Sequence, residues 1–175
     1  KSSHARTVGH PLRGSALVGL GRIEAARQSI EAARQELETV PRVTPGIVPN
    51  RTIVEPWVEA LHGELLLRTG KKTEGSTTLK EVQRKLRATP GPDAWIQTLF
   101  RLESIARSAR EAGEWELAEY TAVQMLEHDA AYGGSHFAMA LGLRPKGDTA
   151  GAGPGGWGEG GSLRSGGGGL SGRGK

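Results

Sequence analysis

The 175-residue chain contains no cysteine, which removes disulfide frameworks, thiolate nucleophiles and cysteine-based zinc sites together. Aromatic residues make up 5% of it, too few for an all-β sandwich with an ordinary core. No apolar run approaches the roughly 18 residues that a membrane-spanning helix needs. The five histidines, His4, His10, His62, His128 and His136, never stand three or four residues apart, the spacing that puts two imidazoles on one helical face. HExxH and calcium-loop patterns are missing as well, so no metal site is expected.

Nucleophile and cofactor signatures are equally scarce. Ser15 in GSALVG and Ser135 in GGSHF lack the G-x-S-x-G elbow and its strand-turn-helix setting. Gly19 and Gly21 lack the third glycine of a dinucleotide loop and lie between helices rather than after a strand. Neither catalysis nor a cofactor is expected of this segment. The net charge is +4, yet Lys and Arg alternate with Glu along helical faces. That is a solvated surface rather than a basic stripe, so nucleic acid is not the expected partner. The chain opens on Lys1, not methionine, which reads as a fragment. A cytoplasmic and a periplasmic setting both stay open.

What is present is helical. Ile23, Ala26, Ile30, Ala33 and Leu37 recur at three- and four-residue steps, the mark of an amphipathic helix. The stretch VPRVTPGIVPN (40–50) holds three prolines and a glycine, and no helix continues through it. PWVEALHGELLLRTG predicts a helix with Pro56 in its first turn and Gly70 as a left-handed terminator. Leu79, Val82 and Leu86 mark a second helix before TPGPD. Asp93 is a candidate N-cap for AWIQTLFRLESIARSAREA, and EWELAEYTAVQMLEHD follows after Gly113. SHFAMALGLRPKGD begins a further helix. Apolar residues are 36% of the chain, low for one deep core and suited to units that bury only the faces between neighbours.

The unit repeats. Gly113 and Gly147 are 34 residues apart. Gly21, Gly70 and Gly113 are each followed five residues later by a small residue: Ala26, Gly75 and Ala118. Gly21, Gly70, Gly113 and Gly147 are each preceded seven residues earlier by another: Gly14, Gly63, Ala106 and Ala140. These offsets place small side chains where the two helices of a hairpin cross. The pattern resembles the tetratricopeptide repeat family over about residues 7–148. It departs from that family in its Gly21–Gly70 and Gly70–Gly113 spacings of 49 and 43 and in lacking the consensus tryptophan and tyrosine.

The resemblance implies an all-α domain over 1–148, in which antiparallel helical hairpins stack as a short right-handed α-solenoid. Hairpins fall at about 7–39, 52–89 and 93–129, with a half-hairpin at 134–148. It implies a protein-interaction or scaffold module, from a fragment of a bacterial protein, that binds a peptide or partner helix in its concave groove. A non-catalytic repeat segment of a larger bacterial enzyme or sensor is the alternative. Leu65, Leu66, Trp95, Leu99, Leu102 and Ile105 are expected between hairpins, with Trp115, Leu117, Tyr120 and Met125 sealing the third.

In the family the first helix of each hairpin lines the groove. Projection gives Trp57, Ala60, Glu64 and Arg68 from the second hairpin, and Phe100, Glu103, Arg107, Arg110 and Glu111 from the third. The competing expectation is that Arg107 and Arg110 pair with Glu103 and Glu111 along their own helix. The Lys and Asn pattern of a terminal-carboxylate clamp is absent.

From Thr149 the composition changes to TAGAGPGGWGEGGSLRSGGGGLSGRGK, where glycines break the second helix that was due. This predicts a disordered Gly-rich tail over 149–175, or a frameshifted end. A minor alternative is nucleic-acid contact through that basic tail. With no second helix to cover them, Phe137, Met139, Leu141 and Leu143 are expected to be partly exposed.

Overall fold

The computed structural model describes residues 3–40, 51–89 and 92–142, all within one compact unit, Lys1–Arg144. The Pro-rich stretch 41–50 and the Gly-rich segment 149–175 lie outside them. The described residues form seven α-helices and no strand: α1 (Ser3–Gly19), α2 (Ile23–Thr39), α3 (Arg51–Arg68), α4 (Lys72–Arg87), α5 (Pro92–Glu111), α6 (Trp115–His128) and α7 (Gly133–Gly142). The all-α expectation is met.

Three tight turns join α1 to α2, α3 to α4 and α5 to α6, and each turns on a glycine with positive φ: Gly21 at 69°, Gly70 at 81° and Gly113 at 74°. A side chain there would meet its own carbonyl, so the left-handed residue is glycine. The turn also closes helix ends. In the second, Lys71 N–H donates to the Leu66 carbonyl and Gly70 N–H to that of Leu67.

Small residues then set how closely the paired helices approach. A Cβ on Gly63 would lie 2.6 Å from Leu79 Cγ, and one on Gly75 would lie 3.0 Å from the Gly63 carbonyl oxygen. The Gly63–Gly75 crossing is the one expected from spacing. Gly14 differs, because it makes room for Leu61 of α3 and not for its own partner helix. Ala140, the counterpart on α7, is exposed, with no described second helix beside it.

Each helix packs on its sequence neighbour, and α1, α3, α5 and α7 also pack successively on one another. On the other side α4 packs on α6. Three apolar clusters fill these layers. Ile30, Leu37, Val54 and Leu61 join α2 to α3. Leu67, Leu79, Leu86, Ile105 and Leu117 join the middle four helices. Leu102, Ala122, Met125 and Ala138 join α5, α6 and α7. A fully buried leucine such as Leu61 contributes about 1.5–3 kcal/mol relative to leaving it in water.

Some boundaries and burials differ from expectation. α3 begins five residues before Pro56, which is buried inside the helix, past the first turn where its missing N–H would be without cost. α5 begins at Pro92, so Asp93 stands within the first turn. Trp95 is 46% exposed and Tyr120 36% exposed, whereas Leu65, Leu66, Leu99, Leu102, Ile105, Leu117 and Met125 are buried as expected. Trp95 faces outward because its ring stacks on His128, 3.9 Å between centroids, and does not insert between hairpins.

Candidate functional site

Burial of Leu102, Ile105, Ala106 and Ala109 fixes the rotation of α5. That leaves Phe100, Glu103, Arg107 and Arg110, spaced by three, four and three residues, as one stripe along its other side. α7 lies beside this stripe and supplies Gly134, Phe137 and Ala138. Together they line an open cleft of about 290 Å³ whose inner wall includes Ser104. Phe100 is 59% and Phe137 62% exposed, more than any other Phe, Trp or Tyr ring among the described residues.

The charges in this cleft are unequally matched. Glu103 accepts a hydrogen bond from the Tyr132 hydroxyl at 2.9 Å. Burial, then the Glu103 hydrogen bond and charge, pushes the Tyr132 phenol above its usual range. Glu111 pairs with Arg68 of α3. Glu103 is thus bonded to the α6–α7 turn and Glu111 to α3, the expected pairing along α5 does not form, and neither Arg107 nor Arg110 has an ion pair among the described residues. Arg110 Nη1 is buried without a hydrogen-bond partner. Burial, and next the Arg107 charge, holds the Arg110 guanidinium below its ordinary value, with Glu103 opposing.

The second-hairpin residues Trp57, Ala60, Glu64 and Arg68 are placed differently from those on α5. Trp57 is buried at 9% exposure beneath the Arg101 guanidinium, 4.8 Å from the ring centroid. Ala60 is fully buried. Glu64, 3% exposed, accepts hydrogen bonds from Ser104 Oγ at 3.2 Å and Ser108 Oγ at 3.0 Å. Burial raises its pKa, opposed first by the Ser108 bond and then by the Arg101 charge. Arg68 is held by Glu111. The faces of α3 and α5 meet here, so Trp57, Glu64 and Arg68 join helices instead of lining an open groove. The structure gathers Phe100, Glu103, Arg107 and Arg110 into the α5/α7 cleft.

A larger, more open trough of about 740 Å³ lies on the α4/α6 side, lined by Lys80, Arg84, Arg87, Trp95, Tyr120 and His128 among others. Its cations are occupied. Arg84 pairs with Glu81, Arg87 with Glu127, and Lys80 sits over the Tyr120 ring. His128 Nε2–H donates to the Trp95 carbonyl at 3.1 Å, which anchors the stacked pair. Spacing had not marked this pair as interacting, because its partners are 33 residues apart on different helices.

Among the described residues no group of three or more His, Asp or Glu side chains is placed to hold a metal ion, and no helix is long and apolar enough to cross a membrane. Comparison with protein-family models, with curated proteins and with solved structures finds no match to this chain.

Proposed function

We propose that the chain is a non-catalytic protein-interaction module of tetratricopeptide type, a short right-handed α-solenoid that takes a peptide or partner helix in the cleft between α5 and α7. The carrying observation is the pair of exposed rings, Phe100 and Phe137, flanking a recessed cleft on the first-helix side. Large aromatic groups left in water beside a concavity are the usual anchors of a protein contact. The repeat reading is supported by the three positive-φ glycine turns, by the Gly63–Gly75 crossing and by successive packing of alternate helices. Such units bury their apolar faces only against neighbours, and so leave one continuous face for a partner.

The test is selection from a random dodecapeptide display library on the full chain, repeated on a Phe100→Ser/Phe137→Ser variant. Both rings are exposed, so the variant should keep its helicity. The expected result is a set of peptides retained by the parent and lost by the variant. Failure to select any peptide, or peptides that bind both proteins equally, would overturn the proposal.

A further inference from the structure

We infer that the α5/α7 cleft is selective for a peptide segment carrying a side-chain carboxylate three or four residues from a large apolar residue. This rests on the peptide-binding reading above and adds the chemistry of the ligand. The apolar half is set by Phe100 and Phe137, which offer ring faces and edges to a hydrophobic side chain.

The acidic half is set by what the two arginines lack. A guanidinium presents five donors and cannot lose its proton in practice, so a partly buried one without an acceptor is costly. Arg110 has such a buried Nη1; Arg107 beside it is exposed, has no ion pair among the described residues, and adds a second positive charge to the cleft. Of the two nearest acids on α5, Glu111 is paired with Arg68, and Glu103, bonded to Tyr132, acts on Arg110 through its charge alone, without a hydrogen bond or ion pair. A carboxylate entering the cleft would supply the missing acceptors in bidentate geometry. By contrast, Arg84 and Arg87 in the α4/α6 trough have their carboxylates in place.

Spacing follows from helix geometry. Arg107 and Arg110 lie seven and ten residues from Phe100, about 10–15 Å along the axis at roughly 1.5 Å per residue. An extended peptide advances about 3.3–3.6 Å per residue, which sets three to four residues between anchor and acid. A nucleic acid fits less well. Glu103 interrupts the cationic stripe, and a phosphate backbone needs several unopposed cations in a row.

The experiment compares sequences selected by the full chain with those selected by an Arg107→Gln/Arg110→Gln variant. Enrichment of Asp or Glu three to four residues from an apolar residue is expected for the parent and is expected to vanish for the variant. For the best peptide, synthesised with an amidated carboxy terminus, Glu→Gln should weaken binding about ten- to hundredfold on the parent and about threefold or less on the variant. Peptides selected without acidic enrichment would overturn the inference and leave the peptide-binding reading standing. Loss of binding on amidation, which would assign the arginines to a chain end, would overturn it too. So would displacement of the peptide by a 12-nucleotide oligothymidylate at low micromolar concentration. Failure to select any peptide is a different result, and removes both.

Discussion

Replacing Gly63 by alanine separates two effects that helix glycines usually mix. In open space the exchange stabilises a helix by about 1 kcal/mol, because alanine loses less backbone freedom on folding. At Gly63 the new methyl would sit 2.6 Å from Leu79 Cγ and 2.7 Å from its Cδ2. Leu79 is fully buried, so it cannot rotate away without opening the α3/α4 contact. Overpacking of that kind costs about 1–3 kcal/mol, leaving a net loss of about 0–2 kcal/mol. Gly9, inside α1, has nothing within 4 Å of its Cβ position and is the internal control. The propensity term is common to both variants, so their difference isolates the clash at about 1–3 kcal/mol. Urea unfolding at 25 °C is the assay. With an m-value of about 2 kcal/mol/M, the two midpoints should separate by about 0.5–1.5 M, Gly9→Ala lying higher. Equal midpoints, or a higher one for Gly63→Ala, would refute the close crossing.

Gly70→Ala meets no neighbouring atom, so it reports the left-handed turn alone and should lower stability by about 1–2 kcal/mol in the same assay. Glu64 has a folded pKa raised by burial, so its contribution is fully present below the unfolded carboxylate pKa and is lost as pH rises through the folded one. The stability of Glu64→Gln relative to the parent should therefore increase on going from pH 4 to pH 8, and a flat or falling difference in urea midpoints would contradict this. Gln83 Nε2–H donates to Thr121 Oγ1 at 3.1 Å in the α4/α6 contact, while Gln83 Oε1 is buried without a partner. Thr121→Val should cost about 1–3 kcal/mol by stranding the amide, whereas Gln83→Leu should be near neutral or stabilising in thermal unfolding.

Local features were the legible ones. The i, i+3, i+4 stripes of α2 and α5 follow from helical period, and Gly21, Gly70 and Gly113 mark their turns because a positive φ demands glycine. The Gly63–Gly75 approach was readable from a fixed offset within one hairpin. Relations between hairpins were not. Whether Glu64 faces water or α5 depends on the distance between those helices, and Ser104 and Ser108, 40 and 44 residues downstream, hold it in a buried position that its charge disguises. Trp57 is similarly covered by Arg101, a residue that reads as surface. Within one hairpin Trp95 misled in the other direction, since its stacking partner His128 stands 33 residues later, at the end of the second helix. The candidate cleft was half legible. α5 displays Phe100, Glu103, Arg107 and Arg110 by periodicity, but the contacts of Glu103 with Tyr132 and of Glu111 with Arg68 join segments far apart in the chain and could not be read from it.

The claim that peptides dock between α5 and α7 is tested most directly by amide chemical-shift mapping. The isotope-labelled full chain, 18.5 kDa, would be titrated with the best peptide from the display selection. The largest shifts should fall on Phe100, Glu103, Arg107, Arg110 and residues 134–138, with α4 and α6 little changed. Shifts concentrated around Trp95, Tyr120 and His128, with α5 residues 100–110 unmoved apart from general drift, would place the partner in the opposite trough and contradict the account.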